Sequence, residues 1–70
     1  MTLNKVDVGS EYRLVACNAP QATRSKLETM GLVPGERINV LQNTNSGFII
    51  EVKRSRLAIA HDIANNLIVS

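Results

Sequence analysis

Apolar and polar residues alternate in five short stretches of the chain, which is the pattern of half-buried β-strands. The first stretch places Tyr12, Leu14 and Ala16 on one face. The later stretches are residues 36–42, 48–52, 56–60 and 67–69. Their predicted inward residues are Ile38, Val40, Phe48, Ile50, Val52, Leu57 and Ile59. A flat sheet of this size would leave its apolar face uncovered, so we predict a mainly β fold, a small, partly open barrel of the SH3-like type.

The segment between the first two strands predicts one short helix. Asn18 is a candidate N-cap residue. Pro20 is tolerated in a first helical turn because its missing N–H would have no partner there. Leu27 and Met30 stand three positions apart and therefore share one face of the helix, which we expect to run to Met30.

The residues after this helix predict a stop and then a turn into the second strand. Gly31 can adopt a positive φ, and Leu32 can fold back onto Leu27, which is the apolar contact of a Schellman motif. Pro34 supplies the fixed φ of a type II turn, and Gly35 supplies its positive φ. The chain should therefore leave the helix and reverse immediately into the second strand.

Two isolated helical turns complete the predicted elements. Leu3 and Val6 fit one turn before the first strand, and Ile63 is the apolar anchor of a second one. This second turn covers residues 61–66, and chain reversals are predicted at residues 43–47 and 53–55.

Length and composition bound the functional classes. Seventy residues fit a single domain, residues 1–70, with a small core that has little room for a buried polar active site, which argues against an enzyme. Eight Lys and Arg residues against six acidic ones give a net charge of +2, too mild by itself to indicate nucleic acid or membrane. The single cysteine excludes an intramolecular disulfide, and neither a secretory signal nor a membrane-spanning run is visible. We expect a cytosolic protein that does not insert into the membrane.

The candidate chemical residues do not form a recognisable site. His61 is the only histidine, and Cys17 lies 44 residues away from it. A transition-metal site needs three or four convergent ligands, and no Cys/His cluster with metal-ligand spacing is present. No nucleophile or phosphate-loop motif occurs either. We therefore predict no catalytic residue, metal or cofactor, and interpret His61 as structural or solvent-facing.

The arginines allow two further hypotheses. Arg24, Arg54 or Arg56 could act as an arginine finger on a partner's GTPase, although each is more simply a surface arginine. Lys53, Arg54 and Arg56 form a basic cluster that could bind nucleic acid, but no aromatic residue is interleaved with it. We interpret the cluster as a solvated hairpin tip and do not expect nucleic acid as the main partner.

One arginine and a set of glycine, proline and apolar residues along the whole chain carry a family resemblance. They are Leu3, Val6, Gly9, Arg24, Leu27, Met30, Gly31, Leu32, Pro34, Gly35, Ile38 and Val40, followed by Leu57, Ala58, Ile59, Ala64, Ile68 and Val69. In this pattern the chain resembles the FeoA family of bacterial ferrous iron uptake. The segment from Arg24 to Gly35 is the specific part of the match.

The resemblance implies a fold and a role. The family fold is an SH3-like barrel with a helix inserted after the first strand. The implied role is that of an accessory protein, without catalytic activity, that contacts FeoB, a large membrane transporter with a cytosolic GTP-binding domain. The same domain occurs at the C-terminus of iron-dependent repressors, so a stand-alone metal-regulatory module is the alternative, beside a small basic barrel that binds nucleic acid.

A docking surface can be predicted on the central segment. Leu32 and Val33 are apolar residues in a connecting loop, where an apolar patch indicates an interface. With Arg24 and Met30 they make up the predicted partner-binding set. The competing interpretation is that Leu32 is used in its contact with Leu27. Self-association through the same patch, or by strand addition, is a further possibility that would give a homo-oligomer.

Overall fold

The computed structural model describes residues 1–70 and has the predicted order of elements. A 3₁₀ turn (Leu3–Lys5) precedes five strands, with α1 (Gln21–Thr29) between the first two and α2 (His61–Ala64) before the last. The strands are β1 (Glu11–Cys17), β2 (Arg37–Asn43), β3 (Gly47–Val52), β4 (Ser55–Ala60) and β5 (Leu67–Val69). The predicted boundaries lie within about two residues of these, which is the usual disagreement at element ends.

The five strands form one antiparallel sheet in the order β4-β3-β2-β1-β5. Strand β1 pairs with β2 in its first half and with β5 in its second half. The register shifts in β1 at Val15 and in β2 at Leu41, where one extra residue is accommodated. Such bulges bend a strand and increase its twist. The sheet therefore curls round its inner face, while its two end strands, β4 and β5, do not pair with each other, and the predicted SH3-like fold is confirmed as a partly open barrel.

The N-terminal segment covers the outer edge of β5. Thr2 forms a β-bridge with Ile68, and the N–H of Val69 donates to the carbonyl of Met1 at 2.6 Å. Leu3, in the adjoining 3₁₀ turn, is fully buried. The edge that β5 would expose is thus partly paired, which reduces its capacity to add a foreign strand.

The core is a cluster of thirteen apolar side chains with no buried polar side chain among them. Phe48, Ile50 and Val52 project inward from β3, as the alternation predicts, and Ala64 covers the core from α2. Because every buried side chain is apolar, none of them needs a hydrogen-bond partner. Any chemistry of this protein must therefore take place at its surface.

The helix stop is a Schellman motif, as predicted. Gly31 has φ +92°, the Leu32 N–H donates to the Leu27 carbonyl at 3.0 Å, and the Gly31 N–H donates to the Glu28 carbonyl at 3.0 Å. These are the two hydrogen bonds that define the motif. The Leu27 and Leu32 side chains are both buried in the core cluster. The burial of both side chains agrees with the predicted apolar contact between Leu27 and Leu32.

The predicted type II turn is also present. The N–H of Glu36 donates to the carbonyl of Val33 at 3.1 Å, and Gly35 has φ +93°. The N–H of Gly35 donates to the carbonyl of Leu14 at 2.7 Å. The turn that follows the helix is therefore joined directly to β1.

One local prediction was wrong. Asn18 does not cap α1: Pro20 occupies the N-cap position, without a side-chain cap. The Asn18 N–H instead donates to the Asn66 carbonyl at 2.8 Å. Asn18 therefore extends the pairing of β1 with β5, and the helix begins after it. Met30 does not join Leu27 in the core. It is the C-cap residue, where the chain leaves the helical path, and its side chain is 38% exposed.

We predict that Gly47→Ala lowers the free energy of unfolding by about 3 kcal/mol, because an added Cβ would clash with the backbone carbonyl oxygen of Ile59. The matched control is Gly31→Ala. There a Cβ meets only ordinary contacts, at 3.8 Å and beyond, so only the positive φ is penalised, at about 1–2 kcal/mol. Urea unfolding of both variants measures the difference. Equal losses would contradict the close approach of β3 and β4 at Gly47.

Candidate functional site

The most prominent concavity of the molecule is a groove between β1 and α1, with a volume of about 400 Å³. Its lining comes from the second half of β1, from one side of α1, and from the segment after the helix stop. The lining residues are Val15, Ala16, Cys17, Gln21, Arg24, Ser25, Glu28, Leu32 and Pro34. We call this surface the groove.

One wall of the groove is polar because it is a single face of α1. Gln21, Arg24, Ser25 and Glu28 follow the spacing i, i+3, i+4 and i+7, which places them on one side of a helix. The only ion pair in the protein joins Lys53 to Glu36, so Arg24 and Glu28 do not form one. The guanidinium of Arg24 is exposed and remains available to a carboxylate of another molecule.

The opposite wall is mostly apolar. Val15, on β1, is 51% exposed, although it is a large aliphatic residue. Pro34 is exposed on the type II turn, and Leu32, only 1% exposed, lies at the base of the wall. The groove therefore offers an apolar strip beside a row of hydrogen-bonding groups. That combination suits an amphipathic peptide segment better than a small polar metabolite.

The structure places the four predicted partner-binding residues in different surroundings. Arg24 and Leu32 line the groove, whereas Met30 and Val33 do not. Leu32 is buried in the core with Leu27, which agrees with the competing interpretation of this residue. Its contribution to a docking surface is limited to the floor of the groove.

Sequence reasoning missed Val15 as a surface residue of interest. The alternation that assigned Leu14 to the inner face also assigned Val15 to the outer face, where an aliphatic residue is unexpected. That mismatch was the available signal. The bulge at Val15 could not be predicted from the alternation, because it arises where β1 changes partner from β2 to β5.

His61 has a structural role, in agreement with its interpretation from the sequence. Its Nε2 donates to the backbone carbonyl of Thr44 at 2.8 Å. Its ring meets Phe48 edge-on, with ring centroids 5.0 Å apart. His61 thereby ties the β2–β3 reversal to the start of α2.

The ionisable side chains do not converge on a metal site. No group of three or more His, Cys, Asp or Glu side chains could hold an ion together. Cys17 is a half-buried free thiol on the wall of the groove. Arg24, Arg54 and Arg56 are all exposed, which fits the simpler interpretation of each as a surface arginine. None of the helices is long and apolar enough to span a bilayer.

Comparison with known proteins relates the whole chain to one family. A sequence model described as the FeoA domain matches residues 1–70. The crystal structure of an iron uptake regulatory protein, FeoA, is similar with a TM-score of 0.87 and 33% sequence identity, covering 99% of this chain and 93% of that protein. No curated protein sequence gives a significant match.

Two more distant structures share the fold. FeoA from Stenotrophomonas maltophilia, complexed with zinc and described as an SH3 domain protein, has a TM-score of 0.86 and 20% identity, over 100% of this chain and 89% of its own. The metal-dependent transcriptional regulator MtsR has a TM-score of 0.85 and 24% identity, over 99% of this chain and 35% of its own. At these identities the likeness concerns the fold alone.

We predict that His61→Ala lowers the free energy of unfolding by about 1–2 kcal/mol, because it removes a hydrogen bond and an aromatic contact. The control is His61→Phe, which keeps a ring against Phe48 and should recover part of the loss. Urea unfolding followed by circular dichroism measures both. An alanine variant as stable as the original protein would show that this contact does not hold the reversal in place.

Proposed function

Because the chain belongs to the FeoA family, whose members are SH3-like accessory proteins of ferrous iron transport, we propose that it acts by binding the cytosolic part of a FeoB-like transporter. The protein works in the cytoplasm and has no catalytic activity of its own. It contributes to Fe(II) uptake through this contact, and the iron is cargo of the transporter.

The observation that carries the proposal is the exposed Val15 on one wall of the groove, opposite the unpaired Arg24 on the other. Burying an aliphatic side chain of this size in an interface is favourable by about 1.5–3 kcal/mol at most. Arg24 adds a directional contact, since a guanidinium can hold a carboxylate through two parallel hydrogen bonds. The groove therefore selects a segment that carries an apolar side chain near an acidic one.

The non-catalytic role is supported by where the polar groups lie. The interior contains no buried polar side chain, and the groove lining has no histidine to activate its cysteine or serine. The arginines are exposed surface side chains, and an arginine finger acts only after its protein has docked on the GTPase. Contact with the transporter is thus the step on which any effect on its GTPase would depend.

Binding of nucleic acid has less support. Single-strand binders combine a basic track with exposed aromatic rings on which bases stack. Phe48 is 1% exposed, and Tyr12 is half-buried with its hydroxyl accepting a hydrogen bond from the N–H of Asp7. The basic hairpin at Lys53 and Arg54 therefore has no stacking platform beside it.

We predict that Val15→Asp weakens binding to the cytosolic part of the transporter about tenfold, because a charge replaces the apolar contact in the groove. The matched control is Val8→Asp, since Val8 is 52% exposed, like Val15 at 51%, but lies outside the groove. Affinity is measured by a binding titration with and without guanine nucleotide, after thermal unfolding has shown that both variants are folded.

Three outcomes would contradict the proposal. Absence of binding by the original protein would remove the transporter as partner. Equal affinity of the Val15 and Val8 variants would move the contact away from the groove. Salt-sensitive retention of RNA without transporter binding would favour the nucleic-acid alternative. As a separate control, sedimentation of the free protein at the same concentrations shows whether the protein binds a second copy of itself.

A further inference from the structure

Two arginines lie directly opposite each other on neighbouring strands of the sheet. Arg13 on β1 pairs with Arg37 on β2 in the antiparallel register, and both side chains are exposed. The N–H and carbonyl of Arg13 are hydrogen-bonded to Ser70, at 3.0 Å each, and so point towards β5. Arg13 and Arg37 are therefore a non-hydrogen-bonded pair, the kind in which facing side chains come closest, with Cα atoms about 4.5 Å apart. We call these two residues the arginine pair.

No side-chain carboxylate of the protein forms an ion pair with either arginine. The only ion pair in the structure is the one between Lys53 and Glu36. Arg13 donates one long hydrogen bond, 3.4 Å, to the carbonyl of Gly35, which carries no formal charge. Like charges directly opposite on a sheet destabilise it. The fold therefore keeps two arginines in facing register, with no side-chain carboxylate paired to either of them.

The side chains around the pair include both basic and acidic ones. Lys53 and Arg54 form the β3–β4 turn at the same end of the sheet, since Val52 pairs with Ile38 next to Arg37. In the next row across the sheet the residues are Glu11, Asn39, Glu51 and Arg56. A continuous phosphate backbone would meet these acidic side chains, whereas a short acidic peptide needs only the pair itself.

The pair also adjoins the groove. Gly35, which accepts the hydrogen bond from Arg13, directly follows Pro34 of the groove lining. Along β1, Arg13 and the exposed Val15 are two positions apart on the outer side. One segment of a partner can therefore contact Val15 in the groove and continue to the arginine pair.

We propose that the arginine pair binds two neighbouring carboxylates in an acidic segment of the transporter's cytosolic part, continuing the groove; this rests on the proposed function. Guanidinium groups suit this task because each presents a planar fork of donors to a carboxylate. The repulsion between Arg13 and Arg37 is relieved when the partner's acids lie across them. The site favours association with an acidic protein segment and discriminates against partners that are neutral or basic at this position.

The test reverses both charges together, in the variant Arg13→Glu with Arg37→Glu. A like-charged pair remains in the same place, so the stability of the fold should change little, while the attraction for acids becomes repulsion. The matched control is Lys5→Glu with Lys26→Glu, which changes the net charge equally at two exposed positions away from the pair. Affinity for the transporter's cytosolic part is measured at about 50 mM and about 500 mM salt.

We expect the reversed pair to lower affinity at least about tenfold at low salt, and the control less than about threefold. The difference should shrink at high salt because exposed charges are screened. Equal affinities of the reversed pair and the control at low salt would overturn the proposal, even when the original protein binds the transporter.

A second probe separates this proposal from the proposed function. A hexaglutamate peptide should bind the original protein and the Val15→Asp variant alike, and should not bind the reversed pair. If the transporter fails to bind but the peptide behaves in this way, the transporter is excluded as partner while the acid-binding property of the pair stands. Peptide binding that is the same for the reversed pair and the control, or retention of a single-stranded RNA probe in place of the peptide, would overturn it.

Discussion

The hydrogen bond from the Leu32 N–H to the Leu27 carbonyl at the end of α1, with both side chains buried in the core, is the constraint on which the rest of the structure depends. It closes the Schellman motif, so the chain leaves the helix in one defined direction. The type II turn at Pro34 and Gly35 then leads into β2, and the hydrogen bond from the Gly35 N–H to the Leu14 carbonyl holds the turn against β1. α1 and the second half of β1 form the two walls of the groove. Both the groove and the pairing of β2 with β1 therefore follow from one reversal of the chain.

The parts of the fold that sequence reasoning predicted are those specified by residues close together in the chain. Gly31, Pro34 and Gly35 each have a backbone reason to occupy their positions, and the inward residues of β3 follow from alternation alone. Asn18 failed as a cap because its backbone is engaged by Asn66, far along the chain. The local preference of a residue such as Asn18 for a cap is overridden when its backbone is hydrogen-bonded to a residue far along the chain.

The functional surface could be predicted only in part for the same reason. Arg24 was identified because it belongs to the local helix motif, and Leu32 because it follows the glycine stop. Val15 was assigned to the outer face by alternation, but the groove that it lines is formed together with α1 and is not visible in the pattern of β1. The arginine pair depends on the register between Arg13 and Arg37, which nothing in the local sequence of either strand specifies. Surface chemistry that is assembled by strand register becomes visible only in the folded protein.

The apolar core explains why the unusual features of this protein lie on one side of β1. A chain of 70 residues buries a small interior, and here that interior contains only apolar side chains. An exposed valine and two facing arginines contribute nothing to such a core, and the arginines act against the sheet by their repulsion. Residues that do not serve the fold are the natural candidates for function. Their alignment along the outer side of β1, next to the groove, therefore favours one extended partner segment over separate, unrelated contacts.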